Sequence, residues 1–195
     1  MTQRPALTLH PGPGRPRAFD TEAALEAGVA LFRLRGFEAT SLDALTEAMG
    51  ISRSSFYAAF GSKRGVLVAA LGLYSAERLA RLEQLAAGPR AAARIVEALA
   101  ALDDPQGCLL INCTTELCSD DPEVSAIGTR HLARIEAILA SCLPAAERES
   151  APGLVALALG ALTLRKAGRP AAEIDALLRR VTDRLAPIAA TPGSD

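Results

Sequence analysis

The chain has 195 residues, 50% of them hydrophobic, and its 21 Lys and Arg against 22 Asp and Glu leave a net charge of −1. That is enough apolar material for the core of one medium domain or two small ones. No stretch of 18 residues is apolar and free of charge, so a transmembrane segment is not expected. Alanine and leucine dominate while β-branched runs are scarce, which favours an all-α fold.

The opening residues lack the long apolar run of a signal peptide. Four cysteines without a dense, loop-rich framework fit reduced thiols better than disulfides. The expectation is a soluble cytoplasmic protein. Charge is unevenly distributed: residues 1–66 hold eight Arg and Lys against six acids, a net of +2, and the remainder carries a net of −3. A neutral chain with a basic pole is compatible with binding DNA. Residues 1–17 hold Arg4, Arg15 and Arg17 and no acid, in a Pro/Gly-rich arm expected to be disordered alone. It reads either as an inert tail or as an arm whose Arg15 and Arg17 order on phosphates or in a minor groove.

A first helix is expected over 19–35, stopped by Gly36. Residues 40–63 then read as two short helices joined by a glycine turn, followed by the opening of another. Such a helix-turn-helix presents its second helix to the major groove. Thr40 is placed to cap the first short helix, with Asp43 completing a capping box. Leu42, Leu45 and Met49 form its inward stripe. Gly50 lets the chain leave through a left-handed turn. Ser52 caps the second short helix, whose Phe56 and Phe60 face inward at i and i+4. Arg53, Ser54, Ser55, Tyr57 and Ala58 remain outside. After Gly61 and the cap Ser62, the first turn of the next helix holds Lys63 and Arg64. Cations there oppose the helix dipole unless an anion binds, so they read as phosphate contacts or as solvated charges.

From about Phe19 to Leu71 the chain resembles the DNA-binding domain of the TetR (tetracycline-repressor) family of bacterial transcription regulators. The resemblance rests on Ala24, Leu25, Gly28, Leu31, Phe32, Gly36 and Phe37, then Thr40-Ser41, Gly50-Ile51-Ser52, Phe56-Tyr57, Phe60 and Ser62-Lys63 at their offsets. It implies an all-helical homodimer with an N-terminal helix-turn-helix domain, residues 18–66. A larger C-terminal domain, residues 67–195, would dimerise and bind a small-molecule inducer. By the same resemblance Tyr57 and Lys63 contact phosphates of a double-stranded operator. Arg53, Ser54, Ser55 and Ala58 lie nearest the bases, and Thr40, Ser41 and Ser52 complete the DNA-facing set. Relatives often carry a bulkier aromatic or histidine where this chain has Ala58, which limits readout there to a thymine methyl contact.

Nine helices are expected in all. The fourth covers about 62–86 and joins the domains. The fifth, about 89–102, follows Gly88-Pro89, and the turn Asp103-Asp104-Pro105 precedes the sixth, about 106–118. Asp120-Asp121-Pro122 caps the seventh, about 122–142; the eighth covers about 152–167 up to Gly168, and the ninth about 170–186. The ninth repeats Ile174, Leu177, Leu178, Val181 and Leu185 as a narrow stripe. The eighth is apolar on nearly every side between Leu154 and Leu164, with Gly160 and Ala161 small enough for close approach. Helices near 152–186 therefore read as a two-fold four-helix bundle, or the eighth is plain core.

The sixth helix places Cys108, Asn112, Thr115 and Glu116 on one face of a mostly apolar segment. Buried polar groups need partners. Cys108, Asn112, Cys113 and Glu116, with His131 opposite, therefore read as a pocket for a small hydrophobic effector, or Asn112 and Glu116 reach solvent or pair with Arg130, Arg134 or His131. Cys108, near the helix N-terminus, is the best-placed thiolate, so a cysteine sensor of electrophiles or oxidants on the same scaffold is the alternative. Cys108, Cys113 and Cys118 are five apart and spread round a helix, and no Cys-x-x-Cys pair exists, so no metal site is expected. With only His10 and His131, no Ser-His-acid set and no phosphate-cradling glycine loop, neither a cofactor nor catalysis is expected.

Overall fold

The computed structural model describes residues 19–101, 108–117 and 120–185. Among these the order is α1 (Thr21–Arg35), α2 (Leu42–Ala48), α3 (Arg53–Phe60), α4 (Lys63–Ala86), α5 (Ala91–Ala100), α6 (Leu109–Leu117), α7 (Pro122–Ser141), α8 (Ala151–Lys166) and α9 (Ala171–Thr182). A short 3₁₀ segment, Ala145–Ser150, leads into α8. The fold is all-α. The basic arm with Arg15 and Arg17, the turn before α6, Cys118 and the end of the ninth expected helix lie outside the described residues.

The helices of the N-terminal half start where short polar side chains accept their first free amides. Asp20 takes Glu22 N and Ala23 N, Ser52 takes Ser55 N, and Ser62 takes Gly65 N. The cap of α2 is Ser41 rather than Thr40: Ser41 Oγ accepts Ala44 N at 3.1 Å. Thr40 is 1% exposed, and its hydroxyl donates to Gly36 O at 2.7 Å. This one-residue shift dissolves the expected capping box and leaves Asp43 for another partner. Gly50 adopts φ +64°, the left-handed turn that lets α3 cross α2.

Two hydrophobic clusters share α4. The first joins Phe32, Leu45, Phe56, Val66, Leu67 and Leu71 to Leu109, Leu110, Cys113 and Val124. The DNA-proximal core is thus completed by α6 and the start of α7. The second is built from Leu82, Ile95, Val96, Leu139, Leu143 and Val155 with Ile174 and Leu178. A 24-residue α4 is about 36 Å long, enough to run through both. Its C-terminus has no glycine cap, and Arg94 from α5 donates to Leu85 O at 2.6 Å and to Ala87 O. Close approach of α6 to α7 depends on Gly128, where a Cβ would lie 2.7 Å from Thr114 Oγ1.

Candidate nucleic-acid interface and the pocket behind it

Phe56, fully buried, fixes α3 on the core and stacks at 5.9 Å against Phe60, which in turn packs on Phe19. With that anchor in place, Arg53, Ser54, Tyr57 and Ala58 are exposed and Ser55 is half-buried. Tyr57 is 53% exposed, its ring edge-on to Phe56. Ser52 Oγ lies 2.9 Å from Ser54 Oγ and 3.0 Å from Ser55 Oγ, a hydroxyl cluster at the N-terminus of α3. Arg53 bonds across the turn to Asp43 of α2. Asp43, Ser52 and the outer face of α3 thus form one polar surface, and Ser41 is exposed at the start of α2. Thr40 is not part of it.

Lys63 and Arg64 both have protein partners that the sequence reading did not name. All three ammonium protons of Lys63 are matched by carbonyls: Phe37 O at 3.0 Å, Thr40 O at 3.1 Å and Glu38 O at 3.5 Å. Nζ also lies 4.2 Å from the Phe37 ring centroid, within cation–π range. Lys63 therefore latches the α1–α2 connection onto α4. Arg64 is turned towards the C-terminal half, with Nε and Nη2 donating to Asp121 at 2.6 and 2.7 Å and Nη2 lying 2.9 Å from Glu123. Asp121 is also the cap of α7, accepting Glu123 N and Val124 N. The Arg64 guanidinium, then the Val124 amide, hold its carboxyl down at about 2.

The expected effector residues divide between two sides of α6. Cys108 and His131 line a small pocket with Arg78, Leu99, Ile111 and Leu159, between α4, α5, α6, α7 and α8. Its free volume, about 10 Å³, is that of one water molecule. His131 is 4% exposed and shares a 2.8 Å hydrogen bond with Ser75. Burial, and secondarily the Arg78 charge, push its pKa down to about 4, so the ring is neutral. Tyr74 is raised to about 12 by burial first and by neighbouring Cys108 second.

Asn112, Cys113 and Glu116 belong to the other side. They line a wide, open cleft of about 640 Å³ with Phe32, Leu34 and Lys166. Asn112 Oδ1 accepts from Lys166 Nζ at 3.0 Å. Glu116 accepts Glu38 N at 3.1 Å and Phe37 N at 3.5 Å, tying α6 to the connection that Lys63 holds from below. Cys113 is buried in the first core, its thiol pushed up to about 12 by burial first and Glu116 second; Leu110 is buried there too. Glu116 thus ties α6 to the α1–α2 connection, and Cys113 packs in the first core. Among the described residues, no three His, Cys, Asp or Glu side chains gather as metal ligands.

On α8, Leu154, Val155, Ala158, Ala161 and Leu162 are buried within the chain. Ala156, Gly160 and Leu164 instead face outwards, Leu164 37% exposed and Gly160 with open space at its Cβ position. On α9, Ile174 and Leu178 belong to the second core, while Leu177 is 41% exposed. The outward stripe is thus Ala156, Gly160, Leu164 and Leu177, and Leu178 is not on it. No helix among the described residues is long and apolar enough to cross a membrane.

Comparison with known proteins agrees with this geometry. The model of bacterial regulatory proteins, tetR family, matches residues 24–70, which run from α1 through the first part of α4. The HTH-type transcriptional repressor ComR of Escherichia coli K12 is 35% identical over 128 residues, 60% of this chain and 61% of that protein. The HTH-type transcriptional regulator YezE of Bacillus subtilis 168 is 33% identical over 131 residues, 63% of this chain and 68% of that protein. This chain thus spans about three fifths to two thirds of the length of these two relatives. A cysteine variant of the TetR family regulator CifR, solved with 26-base-pair operator DNA, is 28% identical with a TM-score of 0.67. That match covers 87% of this chain and 99% of the other. The reduced form of E. coli NemR, 23% identical, shares the fold with a TM-score of 0.74 over 85% of this chain and 97% of the other. The chain belongs to the TetR family of bacterial transcriptional regulators.

Proposed function

We propose that the protein is a ligand-released repressor that binds a pseudo-palindromic operator as a homodimer. The observation that carries the reading is the outer face of α3: Arg53, Ser54, Tyr57 and Ala58 stand uncovered on a helix clamped from behind by Phe56. On this reading Arg53, Ser54, Ser55 and Ala58 meet base edges, while Tyr57, Ser41 and Ser52 meet phosphates. Arg15 and Arg17 of the N-terminal arm add contacts beside the site. Two subunits associate through Ala156, Gly160, Leu164 and Leu177, which sets the two recognition helices about one helical turn, roughly 34–36 Å, apart.

The effector is a small, largely hydrophobic molecule that opens the pocket of Cys108 and His131, for which the apolar walls and the buried neutral imidazole speak. It acts by binding better to the DNA-incompetent arrangement, with a coupling of about 1–3 kcal/mol, or 5–150-fold in operator affinity. A cysteine sensor on the same scaffold is the second reading, favoured by one observation: Cys108 is half-buried at the pocket wall while Cys113 and Cys142 are buried.

The test is selection from a random duplex library, then affinity measurements on the selected and a scrambled duplex near 150 mM salt. Enrichment of an inverted repeat bound by two subunits supports the reading. Failure to enrich any sequence, with equal affinity for both duplexes, overturns it. Cys108→Ser separates the two effector mechanisms: release by oxidant is lost in a cysteine sensor, and release by a noncovalent ligand persists.

A further inference from the structure

Asp43 and Arg53 form a pair on the proposed DNA face that the fold does not require. Asp43 sits in the first turn of α2 and Arg53 opens α3. One carboxylate oxygen, Oδ1, accepts from Arg53 Nε at 3.1 Å and also from Nη2. The two side chains are 63% and 72% exposed, so the pair is strongly screened and contributes little to stability. Its effect lies in where it points the guanidinium.

A guanidinium carries five N–H donors in one rigid plane. Asp43 engages the edge formed by Nε and Nη2. The terminal edge, with one hydrogen each on Nη1 and Nη2, is left with two parallel donors. That fork matches O6 and N7 of guanine, the bidentate pairing that identifies a G·C pair in the major groove. An arginine without such a brace samples many rotamers and is drawn to neighbouring phosphates. A carboxylate on the inner edge fixes the side chain before contact, and its charge disfavours a phosphate in the same place.

We propose that Asp43 is a positioning residue for base recognition: it holds Arg53 edge-on, so that the terminal donors read one guanine in each half-site. The inference rests on α3 being the recognition helix, and it adds a specificity determinant together with the base it selects.

Full-length wild-type protein, Asp43→Ala, Asp43→Asn, Arg53→Ala and the double variant are each taken through selection from the same random duplex library. Affinities are then measured on the wild-type site, on its single-base variants and on a site with 7-deazaguanine. The wild type should select guanine at one position per half-site, and Arg53→Ala should abolish the preference there. Asp43→Ala should lower that preference about tenfold at the same position only, and the double variant should lose no more than Arg53→Ala alone. Replacing guanine N7 by carbon should weaken the wild type and leave Asp43→Ala nearly unaffected. Asp43→Asn, which keeps the shape and one acceptor, should fall between, and decides the matter if the alanine variant loses helicity. A full guanine preference in Asp43→Ala, or tighter binding to all sequences alike, would mean that the carboxylate merely screens Arg53 and would overturn the proposal. A wild type that enriches no sequence defeats the DNA-binding reading itself, whereas a selected site with no guanine dependent on Arg53 defeats only this inference.

Discussion

Lys63→Met removes the ammonium and keeps the apolar stem, which makes it a sharp test of the latch. Two of the three carbonyl contacts, at 3.0 and 3.1 Å, are sound charge-assisted hydrogen bonds, and the third at 3.5 Å is weak. Hydrogen bonds to a charged group contribute roughly 1.5–3 kcal/mol each when well shielded, and Lys63 is only half-buried. Adding about 0.5–1 kcal/mol for the Phe37 ring, the variant should lose about 2–3 kcal/mol of stability, measured as a shifted urea midpoint at unchanged m-value. A phosphate contact would behave differently. Each neutralised phosphate contributes about −0.9 to the slope of log affinity against log salt, so losing one per subunit would flatten that slope by about 0.9 per subunit. The structure predicts a lower midpoint with the salt slope unchanged between 50 and 200 mM. An unchanged midpoint with a flatter slope would refute the latch and return Lys63 to the phosphate backbone.

Leu177→Glu and Leu164→Glu, on the outward stripe, should yield folded monomers in sedimentation experiments, whereas Leu178→Glu should unfold the chain, since an unpaired charge in that core costs several kcal/mol. Folded Leu178→Glu monomers would reverse the assignment. His131 binds its proton with a pKa of about 4 in the fold against an ordinary 6.5. Between those values the unfolded state holds the extra proton, so stability should fall as pH drops from 6.5 towards 4, by about 3 kcal/mol. His131→Gln should flatten that part of the pH–stability curve, and an unchanged curve would show the ring is not buried neutral. In native protein at pH 7.5, Cys108 should alkylate before Cys113 and Cys142, which stay protected until unfolding, as peptide mapping would reveal.

The short helices, the Gly50 turn, the inward Phe56 and the caps at Ser52, Ser62 and Asp121 were legible because each depends on residues within four positions of one another. The slip at Thr40 and Ser41 shows the limit of that locality. Two adjacent hydroxyls satisfy the cap equally well in sequence, and only the tertiary site under Gly36 O decides which is buried. The protein partners of Lys63 and Arg64 were not legible for a related reason. These partners lie 23 to 59 positions away, and spacing along the chain carries no trace of them. The split of the effector residues has a geometric cause. Cys108 precedes the first helical residue, Leu109, and its carbonyl accepts Asn112 N as a cap. A helical projection extended back to position 108 therefore puts its side chain on a face it does not share.

These corrections bear on how a signal would travel. The long α4 does not link the two halves alone. Instead α6 and α7 touch the DNA-proximal core directly: Glu116 holds the Phe37 and Glu38 amides, Asp121 holds Arg64, and Leu109, Leu110 and Cys113 fill the space beneath Phe32. Lys63 grips the same connection from the opposite side. The α1–α2 connection thus sits between a carboxylate from α6 and an ammonium from α4, both on its backbone. On the proposed mechanism, an effector that forces α6 away from α7 must move Glu116 relative to Lys63. It then strains the segment that ends at Ser41, the cap of the helix on which α3 rests. Closely packed interfaces shift between discrete arrangements rather than deforming smoothly. Contact of α6 with Thr114 against Gly128, where not even a methyl group would fit, makes this a stiff route from pocket to recognition helix.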